Sequence, residues 1–410
     1  MVIAMFALAL AVAAQPRANA QFNYTVLHTF TGSPDGVYPS PLIRDADGNL
    51  YGTAQAGGSD NDFCAFGCGM VFKIDPAGEM TQLYDFAGGN NGGYPVAGLV
   101  RDKAGNLYGT TQGLGDANLS VLFKLTPEGK ETSYDNPPDG SLASPVALDA
   151  KGNLYGMAPY GGTPNCGWDR DELGCGTLFK MTPSGKFTII HTFDGTDGMN
   201  PQGGLVRDAK GNFYGAAFFG GIRTCMTTGN GHSEPGCGTI FKIDVNGKYT
   251  VLHTFTGKKD GAGPQGLIID SAGNLYGIAQ NGGNHGGNGH LYGLGTIFKV
   301  DTLSGKFSVL FTFTPNITQS EGYANLMARD SEGNLYGAKQ YDGAHNAGCL
   351  FKVDTKGDYT DLFDFATEVN GKNEEGYHPV SIVLGSAGDF YGSMALGGRS
   401  AFGTVFHITP

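Results

Sequence analysis

The hydrophobic positions fall in short runs of about four to seven residues, each bounded by Gly, Asn, Asp or Pro. Four kinds of run recur in a fixed order. Gly98-Leu99-Val100-Arg101-Asp102 and Asn106-Leu107-Tyr108-Gly109-Thr110 exemplify the first two; Gly238-Thr239-Ile240-Phe241-Lys242-Ile243 and Tyr249-Thr250-Val251-Leu252-His253-Thr254-Phe255 exemplify the others. β-branched and aromatic residues dominate them, and no long window carries a helical period, so each run predicts a strand. We label them a, b, c and d. Asp-x-x-Gly-Asn joins a to b, as in Asp45-Ala46-Asp47-Gly48-Asn49, and Pro-x-Gly or Asn-Gly joins c to d, as in Pro183-Ser184-Gly185 and Asn246-Gly247. Both are tight-turn signals, so each unit is a four-stranded antiparallel meander.

The unit repeats seven times. Gly-Asn-Leu-Tyr-Gly begins at Gly48, Gly105, Gly152, Gly273 and Gly333, with variants at Gly211 and Gly388, at intervals of 57, 47, 59, 62, 60 and 55 residues. One meander cannot bury both faces alone, and stacking the copies radially solves that while leaving short edges. The ends distinguish a ring from an open array. The last copy stops after strand c at Gly403 to Thr409, and an orphan strand d stands first, Tyr24 to Phe30, nearly matching Tyr249 to Phe255. The expected fold is all-β, a seven-bladed propeller of four-stranded antiparallel blades, with the N-terminal strand 24–30 completing the last blade. Residues 21–410 are expected to form that single domain.

These repeats resemble the extracellular tandem-repeat proteins of the GloVer type across the whole mature chain. The resemblance implies an exported bacterial propeller and brings no activity or catalytic residue with it.

Composition narrows the partners. Of 410 residues, 69 are Gly and 16% are charged, and the formal net charge is −12. An acidic chain without a basic stripe disfavours nucleic acid and anionic membranes. Val2 to Ala14 is apolar but too short to span a bilayer, and Ala18-Asn19-Ala20 follows it. Residues 1–20 therefore read as a signal peptide, without the usual basic start, and the expected location is secreted, extracellular or periplasmic. A monomer is expected.

Three cysteine pairs fall within b–c loops: Cys64/Cys68, Cys166/Cys175 and Cys225/Cys237. In an exported chain these read as disulfides that pin long loops. Cys349 reads as a small buried thiol.

Strand alternation puts the b–c and d–a connections on one face. The b–c loops vary in length and chemistry, which places function there. The d–a loops repeat an acid or amide before Gly (Asp35, Asn91, Asp139, Asp197, Asp260, Glu321 and Glu375). That ring could hold Ca²⁺, though Asp-Gly is also a turn signal; no other cofactor and no metal site is expected. The repeated Lys of strand c and Arg of strand a predict a structural ion-pair lattice. Residues that break the repeat are better candidates. Trp168, Arg170, Phe219, Tyr292 and Tyr341 could stack on or bond a sugar. His232, Glu234, Arg223, Tyr341 and His345 could serve as acid, base or charge-neutralising groups. The expected function is a binding or scaffolding module for a glycan or protein. The alternative is a polysaccharide lyase or glycoside hydrolase using b–c loop residues.

Overall fold

The computed structural model describes residues 22–59, 64, 66–89, 92–112, 120–134, 142, 144–162, 174–229, 232–283, 293–314, 324–343, 345–365, 376–386 and 388–410. Among them there is no helix, and so none long and apolar enough to cross a membrane. Seven antiparallel sheets are arranged in a ring, each ordered a-b-c-d. The fourth shows the plan: Met199–Arg207, Phe213–Phe219, Thr239–Ile243 and Tyr249–Thr254. In the first blade strand a is split into Val37–Pro39 and Ile43–Arg44. The ring closes as expected. Asn23–Thr29 pairs antiparallel with Thr404–Thr409, from Asn23 opposite Thr409 to Thr29 opposite Thr404. One element was not anticipated. The b–c loop of the fourth blade carries its own hairpin, Met226–Gly229 against His232–Pro235, and Gly229-Asn230-Gly231 was the turn signal for it.

Strand a is innermost, since the a strands of adjacent blades pack on one another. Their backbones nearly touch: a Cβ on Gly203 of the fourth blade would lie 2.3 Å from the Gly266 nitrogen of the fifth.

The repeated Gly of strand b has a packing cause. At Gly52, Gly109, Gly156, Gly215, Gly277, Gly337 and Gly392 a Cβ would come within 2.3–2.7 Å of the ring tip of the strand-c Phe in the same blade. The missing side chain makes room for Phe72, Phe123, Phe179, Phe241, Phe298, Phe351 and Phe406, all at most 1% exposed. The Phe that ends strand d of the preceding blade then meets this ring. Phe30–Phe72, Phe86–Phe123, Phe193–Phe241, Phe255–Phe298, Phe313–Phe351 and Phe365–Phe406 have centroids 5.0–5.9 Å apart. The aromatic seam thus crosses six of the seven blade interfaces, with near edge-to-face geometry that adds to simple burial.

On the hairpin face an Asp organises each a–b turn. Asp270 Oδ1 accepts the Asn274 and Ala272 N–H groups, and Oδ2 accepts Asn274 Nδ2 and the Tyr276 hydroxyl. Asp45, Asp102, Asp149, Asp208 and Asp330 do the same for their Asn and Tyr. The seventh blade substitutes as a set: Gly385 replaces the Asp, Asp389 the Asn and His407 the Lys, with His407 Nε2 2.7 Å from Asp389 Oδ2. The expected ion-pair lattice is mostly replaced by cation–π contacts. Lys124, Lys180, Lys242 and Lys299 lie 5.6–6.0 Å from the Tyr rings of their own blades. Arg44, Arg101 and Arg329 lie 5.2–5.4 Å from the Tyr rings of the preceding blades. Tyr is available to both because its hydroxyl is spent on the Asp while its ring face stays open. Arg329 and Asp270, 4.0 Å apart, and His407 and Asp389, 2.7 Å apart, are in salt-bridge range.

Two outcomes follow from these contacts. Gly277→Ala drives a methyl into Phe298 and should cost about 1–3 kcal/mol, read as a lowered denaturant midpoint. The six turn Asp carboxyls titrate below their ordinary value: burial raises them, but the Asn and backbone N–H bonds outweigh it. Unfolding therefore takes up protons. Their contribution is complete above an unfolded-state value of about 4 and is lost as pH falls through the lower folded values. Acid titration of stability should show that loss, and Asp270→Asn should make it shallower.

Candidate functional site at the channel mouth

Each strand a begins at the face that carries the b–c and d–a loops, so its first residues rim the mouth of the axial channel. There the chain repeats X-Pro: Tyr38-Pro39, Tyr94-Pro95, Ser144-Pro145, Asn200-Pro201, Gly263-Pro264 and His378-Pro379. Five of these X residues have left-handed backbones, with φ of 55° at Tyr38, 54° at Tyr94, 55° at Asn200, 65° at Gly263 and 60° at His378. Glycine takes this conformation freely; a residue with a Cβ gives up about 1–2 kcal/mol, and the following proline disfavours it further. Gly263 shows what the backbone alone would choose. Tyr38, Tyr94, Asn200 and His378 keep side chains at this rim at a conformational cost.

The strain is held by the neighbouring blade. The N–H groups of Tyr38, Tyr94, Asn200, Gly263 and His378 donate to the carbonyls of Phe402, Cys68, Cys175, Cys237 and Ala347, at 2.7–3.1 Å. Each acceptor closes the preceding blade's b–c loop and is followed by Gly. A Cβ on Gly69, Gly176, Gly238, Gly348 or Gly403 would lie 2.4–2.6 Å from the Cδ of the proline it faces. The loop end and the next blade's proline thus form a latch.

The disulfides serve this latch. Cys64–Cys68 and Cys225–Cys237 are bonded as expected. Cys175 is also disulfide-bonded; Cys166 lies outside the described residues. In all three loops the second Cys is the acceptor. The b–c loops of the sixth and seventh blades are short and reach the same geometry through Ala347 and Phe402. Cys349 is buried and free, and burial pushes its thiol up to about 12.

The remaining candidates distribute unevenly. Tyr341 is half-buried, with its ring 4.4 Å from that of His378 in T-shaped contact; burial lowers the His378 pKa. Phe219 was expected on display but is 8% exposed, packed edge-to-face on Phe218 within the fourth blade's core. Strand b carries it inward, so it offers no open ring face. Arg223 and His345 are exposed loop residues. His232 and Glu234 lie in the added hairpin, opposite Gly229 and Thr227. Trp168, Arg170 and Tyr292 lie outside the described residues. The d–a carboxylates Asp35, Asp197 and Asp260 turn back to His28, His191 and His253 of strand d, at 3.0, 2.7 and 3.3 Å. They are committed to their turns; Asn91, Asp139, Glu321 and Glu375 lie outside the described residues. No group of three or more metal-ligating side chains gathers among the described residues.

In the sixth blade Lys339 stands where the first, third, fourth and fifth blades have Ala54, Ala158, Ala217 and Ala279, and Asp342 where they have Gly57, Gly161, Gly220 and Gly282. The two pair at 3.2 Å, with side chains 3% and 7% exposed. Lys339 Nζ also lies 5.1 Å from the Tyr359 ring centroid. Sequence reading missed Tyr38, Tyr94, Asn200 and His378, although the Pro ahead of strand a recurs in six blades.

Replacing Cys225 and Cys237 by Ser should lower stability by about 2–4 kcal/mol. Hydrogen exchange should quicken at the Gly263 N–H, while the His378 N–H, latched to Ala347, keeps its rate.

The architecture is shared with solved propellers of low sequence similarity. A streptogramin B lyase superimposes with a TM-score of 0.57 at 13% identity, covering 95% of this chain and 97% of that one. The oligogalacturonate lyase of Vibrio parahaemolyticus gives 0.57 at 10% identity, covering 96% and 94%. The extracellular domain of a one-component system from B. thetaiotaomicron gives 0.54 at 11% identity, covering 93% of this chain and 40% of that one. These likenesses establish the fold alone. No curated protein matches the chain in sequence. The Gloeobacter/Verrucomicrobia repeat matches residues 16–169 and 169–406, and the chain, with its seven blades, belongs to that family.

Proposed function

We propose that the chain is an exported propeller that binds a glycan at the mouth of its channel, on the face of the variable loops. The observation that carries this reading is the rim of strained positions. Tyr38, Tyr94, Asn200 and His378 keep aromatic or polar side chains where Gly263 shows that glycine suffices. Tyr38 is 42% exposed there. Aromatic rings match the C–H faces of sugars and imidazole bonds hydroxyls, while the buried Asn200 is bonded to Pro159 and Gln202 and supports the rim. The rim is held on rigid strands, so little order is lost on binding. The disulfide loops and the leader-like residues 1–20 support an extracellular or periplasmic setting. Propellers of the same shape include a lyase named for oligogalacturonate and the extracellular domain of a sensor system.

A second reading, a lyase or hydrolase, draws on one observation. Burial keeps His378 neutral near pH 7, as a general base must be, and Tyr341 lies against it. A polysaccharide panel assayed for both retention and chain cleavage separates the two. Binding predicts retention with no new reducing or unsaturated ends, and a loss of about tenfold in affinity, the order of one stacking contact, on Tyr38→Ala or Tyr94→Ala. Cleavage abolished by His378→Ala, with Tyr38→Ala still active, would establish the enzyme instead.

A further inference from the structure

On the innermost strand the position after the rim proline (after Ala324 in the sixth blade) changes from blade to blade; it is buried at Ser40 and Val146 and half-buried at Gln202 and Gln265. It is Ser40, Val96, Val146, Gln202, Gln265, Asn325 and Val380 around the ring. Valine occupies three blades, and consecutive amides occupy the fourth, fifth and sixth. Here the repeat breaks, on the innermost strand rather than in a loop.

Gln202 and Gln265 are wired in one direction, together with Asn200 and Gln280. Gln280 Nε2 donates to the Ala324 carbonyl at 2.8 Å and to Gln265 Oε1 at 3.1 Å. Gln265 Nε2 donates to Gln202 Oε1 at 3.0 Å. Gln202 Nε2 donates to Asn200 Oδ1, and Asn200 Nδ2 donates to the Pro159 carbonyl at 3.4 Å. The relay therefore spans the third to the sixth blade and ends on a backbone carbonyl at each extremity. A carbonyl accepts and never donates, so it fixes which end of Gln280 and of Asn200 faces it. The direction of every amide between them follows. Asn200 is also the strained rim residue of the fourth blade, which ties these amides to the rim. Gln280 is 7% exposed, and its Oε1 has no hydrogen-bond partner.

Gln202 and Gln265 are half-buried. After the relay bonds are counted, each retains one N–H and one carbonyl lone pair. Two such groups side by side present an alternating donor and acceptor pattern without formal charge. That pattern complements hydroxyl groups, which both donate and accept. A carboxylate would find only the donors, and would meet the spare lone pairs and the net charge of −12 unfavourably. Each bond in the chain also polarises the next, so a hydroxyl donating to Gln265 strengthens the donors further along.

Resting on the glycan-binding reading, we infer that Gln202 and Gln265 form the polar wall of the site and select a neutral oligosaccharide over a uronate. Gln280 is a positioning residue: tethered to Ala324, it sets the orientation of Gln265 without touching the sugar.

The test is calorimetric titration of the full mature chain. The probes are neutral hexasaccharides (cello-, laminari-, xylo- and manno-) and hexagalacturonate. A neutral probe should bind at least tenfold more tightly than the galacturonate. Gln265→Leu should weaken it about tenfold with the thermal midpoint unchanged, and Gln202→Leu, measured in parallel, does the same should the first variant fold poorly. Gln280→Glu cannot donate to Ala324; it should weaken binding, and Gln280→Asn should not restore it, its amide being one methylene short. Tighter binding of the galacturonate, or an unchanged affinity in both Leu variants, overturns this inference and leaves glycan binding standing. Absence of binding to every probe, with no retention on the wider panel, removes the glycan reading itself.

Discussion

The structure depends on a ring of phenylalanines laid over glycines. In every blade the strand-b Gly leaves a gap that the strand-c Phe fills, and at six interfaces the last Phe of the preceding strand d closes on it. The contact couples three strands of two blades through one buried ring. It is intolerant of added volume, because close-packed interiors cannot absorb even one methyl group without displacement. The spacing between blades, the approach of the strand-a backbones and the alignment of the rim all inherit that geometry.

The two faces of the ring then divide the labour. On the hairpin face the same Asp, Asn and Tyr recur in six blades, and Lys and Arg lie on the open ring faces of Tyr. Burial and the Asp208 carboxylate push the Tyr214 phenol up to about 12, so its hydroxyl stays a donor throughout the physiological range. Uniformity there signals a role that every blade must fill. On the loop face the backbone plan is equally uniform, with a carbonyl latching each strained rim residue, but the side chains it presents differ. Tyr, Tyr, Asn, Gly and His occupy one backbone position; Ser, Val, Gln and Asn share the next. Here geometry repeats and chemistry does not.

Much of this was legible in the sequence. Seven copies of Gly-Asn-Leu-Tyr-Gly and a displaced strand d specified the ring, its blade count and its closure, because a meander with unpaired faces has few ways to be satisfied. The disulfides within Cys64–Cys68 and Cys225–Cys237 followed from spacing and compartment. What the sequence did not disclose was conformation at single residues. Nothing in Tyr38-Pro39 announces a left-handed backbone; that arises from the Phe402 carbonyl and the Gly403 gap, which lie 364 and 365 positions further along. The Gln relay was hidden for the same reason, since Gln202, Gln265 and Gln280 become neighbours only once adjacent blades stack. Phe219 illustrates the opposite error. A loop-adjacent aromatic looked available, and the strand that bears it carried it into the core.

Closure by Asn23–Thr29 on Thr404–Thr409 also orders events in time. Asn23–Thr29 is made before the Thr404–Thr409 strand that it pairs with and must wait for it. Until then two sheet edges stand open, at the first-made strand and at the unfinished final blade, and either can pair with another chain. The pairing joins strands far apart in the chain, so closure is a step of long reach. Crowding of nascent copies would favour exchange of that strand between molecules over closure within one.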